Sequence, residues 1–547
     1  MLAACDGSAN EAVPTGKSSV TAENDRVNDV SNGAGTEKED ASPEKNKAGE
    51  TSDNNEEGSR AADTKEDSKM DQKETKKIET KPLLKKVGNK NPLITQRFGA
   101  DPYALVYDGR VYIYMTGDEF MYDAEGKIIE NNYSNIWTIR VISSDDLVNW
   151  TDHGEVYAAS SKGAAKWGGN SWAPAAAWKM VDGKPKFFLY FANSGNGIAV
   201  LSSDTPYGPF TDPIGKALIS RATPTCASVA WLFDPAVLMD DDGNAYIYFG
   251  GGIPSPDKIA NPGTARMAKL ADDMISLDGD PVAIENVEYL FEDSGINKIN
   301  GKYYYSYCSN FNVPGGHKFD NGEIITMVSD KPLGPFTYNC GVLKNPGAFF
   351  GQGGNNHHCM FEFNGKMYIA YHARLLEDAM GNISSGYRST NIDYVNFDEN
   401  GNFKPSKGTR EGVEQVKSFD PYATVRAVTC GNQSGNGFIP ADESAKIYGS
   451  GDMLLSTVTG SWTCIYGADF GADGAKSFSA KLQGAEEGTV HVRADYLNGT
   501  EIAALDFKAG NAFETVTAEL GEKLTGTHDI YFVFEGKADI DTWSFEK

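Results

Sequence analysis

The stretch F-G-A-D-P-Y-A-L-V-Y-D-G-R-V-Y-I-Y-M-T-G, residues Phe98 to Gly117, joins a carboxylate to a two-stranded pattern that the chain then repeats. Tyr103-Ala104-Leu105-Val106-Tyr107 reads as a strand, Asp108-Gly109 as a two-residue hairpin turn, and Val111-Tyr112-Ile113-Tyr114 as the returning strand. Pro102 fixes its own φ and biases Asp101 toward extended geometry, so this carboxylate is expected at the start of the strand. The same device returns at Asp182-Gly183, Asp242-Gly243, Asn300-Gly301 and Asn364-Gly365, at spacings of 74, 60, 58 and 64 residues. Each unit holds enough β-forming residues for a four-stranded sheet and almost no helical periodicity, the pattern of radially repeated blades. The expectation is an all-β chain built on a five-bladed β-propeller. Ser203-Asp204-Thr205-Pro206-Tyr207-Gly208-Pro209-Phe210 also reappears as Ser329-Asp330-Lys331-Pro332-Leu333-Gly334-Pro335-Phe336, and Ser144 to Trp150 occupies a similar place. These read as turns next to outer strands.

With 547 residues the chain is long enough for more than one domain, and 11% aromatic residues suffice for large cores. A formal net charge of −26 argues against nucleic acid and anionic membrane surfaces as partners, whereas a neutral polysaccharide would not be repelled. Aromatic side chains suit stacking on sugar faces. The seven cysteines show no C-x-x-C spacing, so neither a zinc site nor a disulfide framework is indicated, and buried free thiols are the plain reading.

Met1-Leu2-Ala3-Ala4-Cys5 matches a bacterial lipobox, which would make Cys5 a lipid anchor and the protein secreted or surface-attached. Residues 1–82 are rich in Glu, Asp, Lys, Asn, Ser and Gly and nearly free of aromatics, so a disordered tether is expected there. A helix from Thr64 to Lys77 is the ordered alternative. The propeller pattern occupies 83–408. From 409 to 547 short strands such as Thr489-Val490-His491-Val492-Arg493 and Ile530-Tyr531-Phe532-Val533-Phe534 recur between close turns, the signature of a β-sandwich, jelly-roll-like in kind. No segment approaches transmembrane length.

No nucleophile elbow, phosphate loop or dinucleotide fingerprint is present, which leaves acyl transfer, nucleotide chemistry and hydride transfer without a foothold. Carboxylates, by contrast, fall at or near the starts of innermost strands: Asp101, Asp234 in F-D-P-A-V-L, and Glu292 in L-F-E-D-S-G-I-N-K. Glycoside hydrolysis needs two carboxyl groups of unequal pKa, and a third charge nearby is one way to separate them. Asp before Pro is also common turn chemistry, so Asp234 alone would be an ordinary structural residue about as often as a functional one.

Taken in order, Asp101-Pro102, Trp172-Ala173-Pro174, Phe233-Asp234-Pro235-Ala236, Phe291-Glu292 and Gly354-Asn355-Asn356-His357-His358 resemble glycoside hydrolase family 43. The resemblance implies an inverting mechanism with Asp101 as general base, Glu292 as general acid, and Asp234 as the carboxylate that raises and orients the acid. In such enzymes acid and base stand about 6.5–9.5 Å apart to admit a water. Asp293 is the rival to Glu292, but an extended strand would turn it to the other side. By the same resemblance His357 is expected near the propeller axis, where a calcium or similar ion is often held with waters. One imidazole is weak evidence for a hard cation, and a satisfied buried histidine is the alternative. Arg388 would reach the terminal sugar as a multidentate donor. Trp172 is a candidate sugar-facing aromatic, with core packing as the alternative; His372 and Arg374 are read as structural, and no organic cofactor is expected.

The sandwich resembles carbohydrate-binding module family 6 through Trp462 to Gly471 and the closing Asp539-Ile540-Asp541-Thr542-Trp543-Ser544-Phe545. It departs from that family at Val428, where an acidic calcium ligand is usual, at Asp539, where Asn is usual, and before Phe513, where Asn511-Ala512 replace a stacking Trp. A structural clamp is therefore an alternative to a sugar-binding module. The implied function is exo-acting release of terminal α-L-arabinofuranose, β-D-xylose or both from arabinoxylan-type hemicellulose by a monomer. Endo-cleavage of arabinan, a non-catalytic sugar-binding propeller and a structural adhesin are the competing readings.

Overall fold

The computed structural model describes residues 78–381, 385–442 and 451–547. Cys5, nearly all of the expected tether and the alternative helix from Thr64 to Lys77 lie outside the described residues.

Four of the five expected hairpins close on a pair of residues in the left-handed region, Asp108-Gly109, Asp182-Gly183, Asn300-Gly301 and Asn364-Gly365, with φ between +47° and +77°. That geometry matches the twist of the strands it joins, and Asn, Asp and Gly tolerate it best. Blade three differs. Its strands pair Met239 with Ala245, so the loop runs from Asp240 to Asn244 and Asp242-Gly243 lies inside it.

The innermost strands of the five blades are Ala100–Tyr107, Trp172–Val181, Ala236–Met239, Leu290–Ile299 and His358–Phe363. Each begins an antiparallel sheet; blades two, three and four have four strands, and blade five has three. Five clusters of buried side chains fill the wedges between neighbouring blades. Tyr103 reaches four of them from the axis, and its hydroxyl donates to the carbonyl of Val237 at 2.7 Å. Second-strand tyrosines latch neighbouring blades in the same way: Tyr114 donates to the Pro206 carbonyl and Tyr248 to that of Pro332, both at 2.5 Å. These carbonyls belong to the repeated S-D-x-P-x-G-P-F segments, which explains why that segment recurs.

The ring closes without exchange of a regular strand. The chain ahead of blade one runs along blade five's last strand, Ser389–Tyr394, with Leu93 N–H on the Thr390 carbonyl at 2.9 Å and Gly99 N–H on that of Arg388 at 3.0 Å. Asn91 completes the seam, its amide accepting from Ile392 N–H at 2.9 Å and donating to the Ile392 carbonyl at 3.0 Å.

Beyond the propeller, two sheets of five and six strands enclose a large core that includes Val428, Phe478, Phe532 and Trp543. Thr429–Cys430 adds a fifth strand to blade one, and Asn432–Ser434 immediately enters the sandwich sheet. Asn149 of blade one exchanges two 2.9 Å hydrogen bonds with the backbone of Tyr466. Ordered contacts begin ahead of the boundary expected at 82/83: Lys81 N–H donates to the Gly460 carbonyl at 2.7 Å, and Trp462 Nε1–H to the Lys81 carbonyl at 3.0 Å. Val428 is fully buried in the sandwich core, and its carbonyl accepts from Asp152 of blade one at 3.2 Å.

Asn91→Ala orphans buried partners on both sides of the ring closure. At about 1–3 kcal/mol for each group left unsatisfied, it should lower the melting temperature of the chain measurably in a thermal scan, and an unchanged transition would argue against this seam as the closure.

Candidate active site

In or just ahead of three innermost strands a residue before proline lies in the left-handed region: Asp101 at φ +47°, Ala173 at +38° and Asp234, two residues ahead of its strand, at +48°. The extended geometry expected for Asp101 is therefore wrong. Pro102 disfavours the right-handed helical region for Asp101, but the register of its strand slips between Ala100 and Tyr103, and the bulge is met by a left-handed turn. Such a conformation costs of order 1–3 kcal/mol and persists only where surroundings over-determine it. Here they do. Asp101 N–H, lost to the sheet, donates to Nδ1 of His372 at 3.1 Å. The other ring nitrogen, Nε2, is 2.9 Å from the carbonyl of Asn355, and Nδ1 also lies 3.1 Å from Oδ1 of the Asp101 carboxylate.

The Asp101 carboxylate meets Arg388, whose Nη1 donates to Oδ1 at 2.8 Å. Arg388 is itself clamped by the fully buried Asp118, through Nε at 2.9 Å and Nη2 at 2.8 Å. Three of its five donors are thus spent inside the protein, so Arg388 both lines the cavity and serves as the counter-ion of two carboxylates. Burial by itself would raise the pKa of Asp101, but Arg388, followed by His372 and His357, more than offsets it and holds the group well below the usual carboxylate range.

Glu292 and Asp234 experience the opposite environment. Glu292 is buried, its Oε1 has no hydrogen-bond partner, and its pKa is pushed well up by burial and by the charges of Asp234, Asp101 and Asp293. Asp234 is pushed up by burial and by Asp101, although its Oδ2 accepts from Asp293 N–H at 2.9 Å. Asp293 does turn away from the cavity, but not as an extended residue would. Its φ is +70°, in a strand with register shifts on both sides of Glu292. Fully buried, its carboxylate accepts from Nδ1 of His358 at 2.5 Å.

Asp101, Asp234, Glu292, His357, Arg388 and Trp172 all line one cavity of about 680 Å³ at the end of the propeller axis. Trp172 is half-buried, and its Nε1–H is held by the Tyr133 carbonyl at 3.0 Å, which fixes its ring at the cavity wall. Sequence reasoning missed the opposite wall, where Trp231 and Phe311 stand 38% exposed on either side of Phe291, in edge-to-face contacts at 5.2 and 5.3 Å. Trp231 lies two residues before Phe233-Asp234, a proximity that could have flagged it. Tyr133, whose ring lies 4.9 Å from the Arg388 guanidinium, offered no such signal.

His357 lies with Nδ1 at 3.7 Å from Asp101 and 3.8 Å from Asp234, and Nε2 at 3.1 Å from Asp293. Among the described residues no group of three or more His, Cys, Asp or Glu side chains is placed to hold a metal ion. The arrangement has its own chemistry: one carboxylate held ionised and two carboxyl groups held toward the protonated form share a single cavity, so the site can take a proton at one wall and give one at another.

Residues 89–403 match Glycosyl hydrolases family 43, and residues 427–547 match Carbohydrate binding module (family 6). An arabinoxylan arabinofuranohydrolase of Paenibacillus polymyxa is 46% identical over 486 residues, 85% of this chain and 75% of the relative. Another of the same description, from Bacillus subtilis, is 44% identical over 85% of this chain and 93% of the relative. The crystal structure of a family 43 arabinoxylan arabinofuranohydrolase from Bacillus subtilis, in complex with cellotetraose, superposes with a TM-score of 0.82 at 41% identity, covering 85% of this chain and 99% of the other. With the family model matched over more than half of its length and these relatives 46% and 44% identical, the chain belongs to glycosyl hydrolases family 43.

Proposed function

We propose that the protein is an inverting, exo-acting glycoside hydrolase that releases terminal α-L-arabinofuranose, β-D-xylose or both from arabinoxylan-type hemicellulose. The observation that carries this is the placement in one cavity of a carboxylate paired with Arg388 and a buried carboxyl group with an unpartnered oxygen. Asp101, held ionised by Arg388, acts as general base on a water. Glu292, pushed toward the protonated form by burial and with an unpartnered oxygen, gives its proton to the departing glycosidic oxygen. Asp234 supplies much of the field that keeps the acid protonated. Attack by water on the face opposite the leaving group inverts the anomeric centre with no covalent intermediate. The relatives named for arabinoxylan favour that polymer, and the aromatic walls of Trp172 and Trp231 suit sugar faces. A polymer of this kind is met outside the cell, in keeping with Cys5 as a lipid anchor.

The first test is proton NMR of arabinoxylan incubated with the enzyme. The expected result is free arabinose or xylose appearing first as the inverted anomer. Retention, or shortening of arabinan with no monosaccharide, would overturn the reading.

Activity requires Asp101 ionised and Glu292 protonated, so kcat/KM should fall below the pKa of the first and above the pKa of the second. The lowered pKa of Asp101 and the raised pKa of Glu292 make that bell broad. Glu292→Gln should lower kcat on arabinoxylan by about 10²–10⁴-fold and remove the alkaline limb. Arg388→Lys should move the acid limb to higher pH, because one ammonium cannot serve both Asp101 and Asp118, and an unmoved limb would show that Arg388 does not set the base.

A further inference from the structure

Asp293 is a buried carboxylate next to the proposed acid, and the reaction scheme above leaves it without a task. Its backbone and side chain face different blades. The backbone N–H donates to Oδ2 of Asp234 in blade three at 2.9 Å. The side chain crosses to blade five, where Oδ2 accepts from both Nδ1 and the backbone N–H of His358, at 2.5 and 3.2 Å, and Oδ1 lies 3.1 Å from Nε2 of His357 without an aligned hydrogen bond. His358 is anchored in turn by Ser306 of blade four, with Nε2 and Oγ 2.8 Å apart. Space for this ring is kept by Gly295, where a Cβ would lie 2.4 Å from Ser306 Oγ and 3.0 Å from His358 Cε1. The left-handed turn at Asp293 ties three blades together directly behind Glu292 and Asp234.

We propose that Asp293 is a positioning residue for the acid half of the site: anchored by His358, it fixes the bulge that aims Glu292 into the cavity and presents a backbone donor to Asp234. It touches no substrate. The inference rests on the acid role of Glu292 given above. A loosened Asp293 would blunt proton donation to the leaving group while leaving the base, its arginine and the aromatic walls in place.

Donation matters most when the leaving group is a poor one. A sugar alkoxide needs the proton, whereas p-nitrophenolate departs largely without it. The full-length chain and its Asp293→Asn, Gly295→Ala and Glu292→Gln variants would be assayed on arabinoxylan and on p-nitrophenyl α-L-arabinofuranoside. Asp293→Asn should lower kcat on arabinoxylan about 10²-fold and on the aryl glycoside less than about fivefold, with KM unchanged on both. Because both substrates are read on one preparation, a partly unfolded variant cancels from the ratio. Gly295→Ala displaces His358 without altering an ionisable group and should show the same signature more weakly, and it carries the test if Asp293→Asn gives no soluble protein. Equal losses on the two substrates, or a loss confined to KM, would overturn the positioning role. If Glu292→Gln is selective for the poor leaving group and Asp293→Asn is not, only the positioning role fails; if Glu292→Gln is itself unselective, the acid assignment fails and this inference with it.

Discussion

The pair formed by Arg388 and Asp101 carries the structural load of the active site, because it joins the last blade to the first where the ring closes. A buried ion pair is weak evidence for stability in general, since desolvation of both charges can consume their attraction. This one is different in kind. Arg388 is clamped by Asp118 on one side and Asp101 on the other, while its own carbonyl accepts from Gly99 two residues before Asp101. The contact that pulls down the pKa of Asp101 is therefore also part of the seam that holds the propeller shut, and stability and base strength cannot be varied independently there.

The same economy governs the acid side. Glu292 is kept toward its protonated form by burial and by neighbouring carboxylates. A set of hydrogen bonds, from Asp293 N–H to Asp234 and from His358 to Asp293, holds this group of carboxyls together across blades three, four and five. Base and acid are thus separated by their counter-ions: a guanidinium on one side, only carboxyl groups on the other.

The blade count was legible in the sequence because Asp-Gly and Asn-Gly turns are local devices whose chemistry does not depend on the rest of the fold. The carboxylates were legible for a related reason, since each sits seven or eight residues ahead of a turn. What escaped was non-local. The left-handed backbone at Asp101 answers to His372, 271 residues away, and the duties of Arg388 answer to Asp118, 270 residues away. His372, read as structural, is indeed that, but as the support of the base's backbone. Trp231 and Phe311 form a wall only because blades three and four converge at the axis. Turn chemistry alone likewise missed the longer loop of blade three, where Asp240 is drawn instead to Lys298 and Tyr303.

The C-terminal module shows how the ends of the chain are put to use. Domains joined by an exposed linker move relative to each other by default. Here the connection is itself β-structure, with Thr429 and Cys430 paired to blade one and Asn432 to Ser434 paired within the sandwich, so no free linker separates the two sheets. The segment around Lys81 adds a second tie, donating to the sandwich at Gly460 before the chain runs on to close the ring at Asn91. A module bound at both its entry and the opposite end of the propeller chain cannot swing to search for polymer. Its contacts fall on blade one, and a sugar held by it would lie at a fixed place relative to the catalytic cavity.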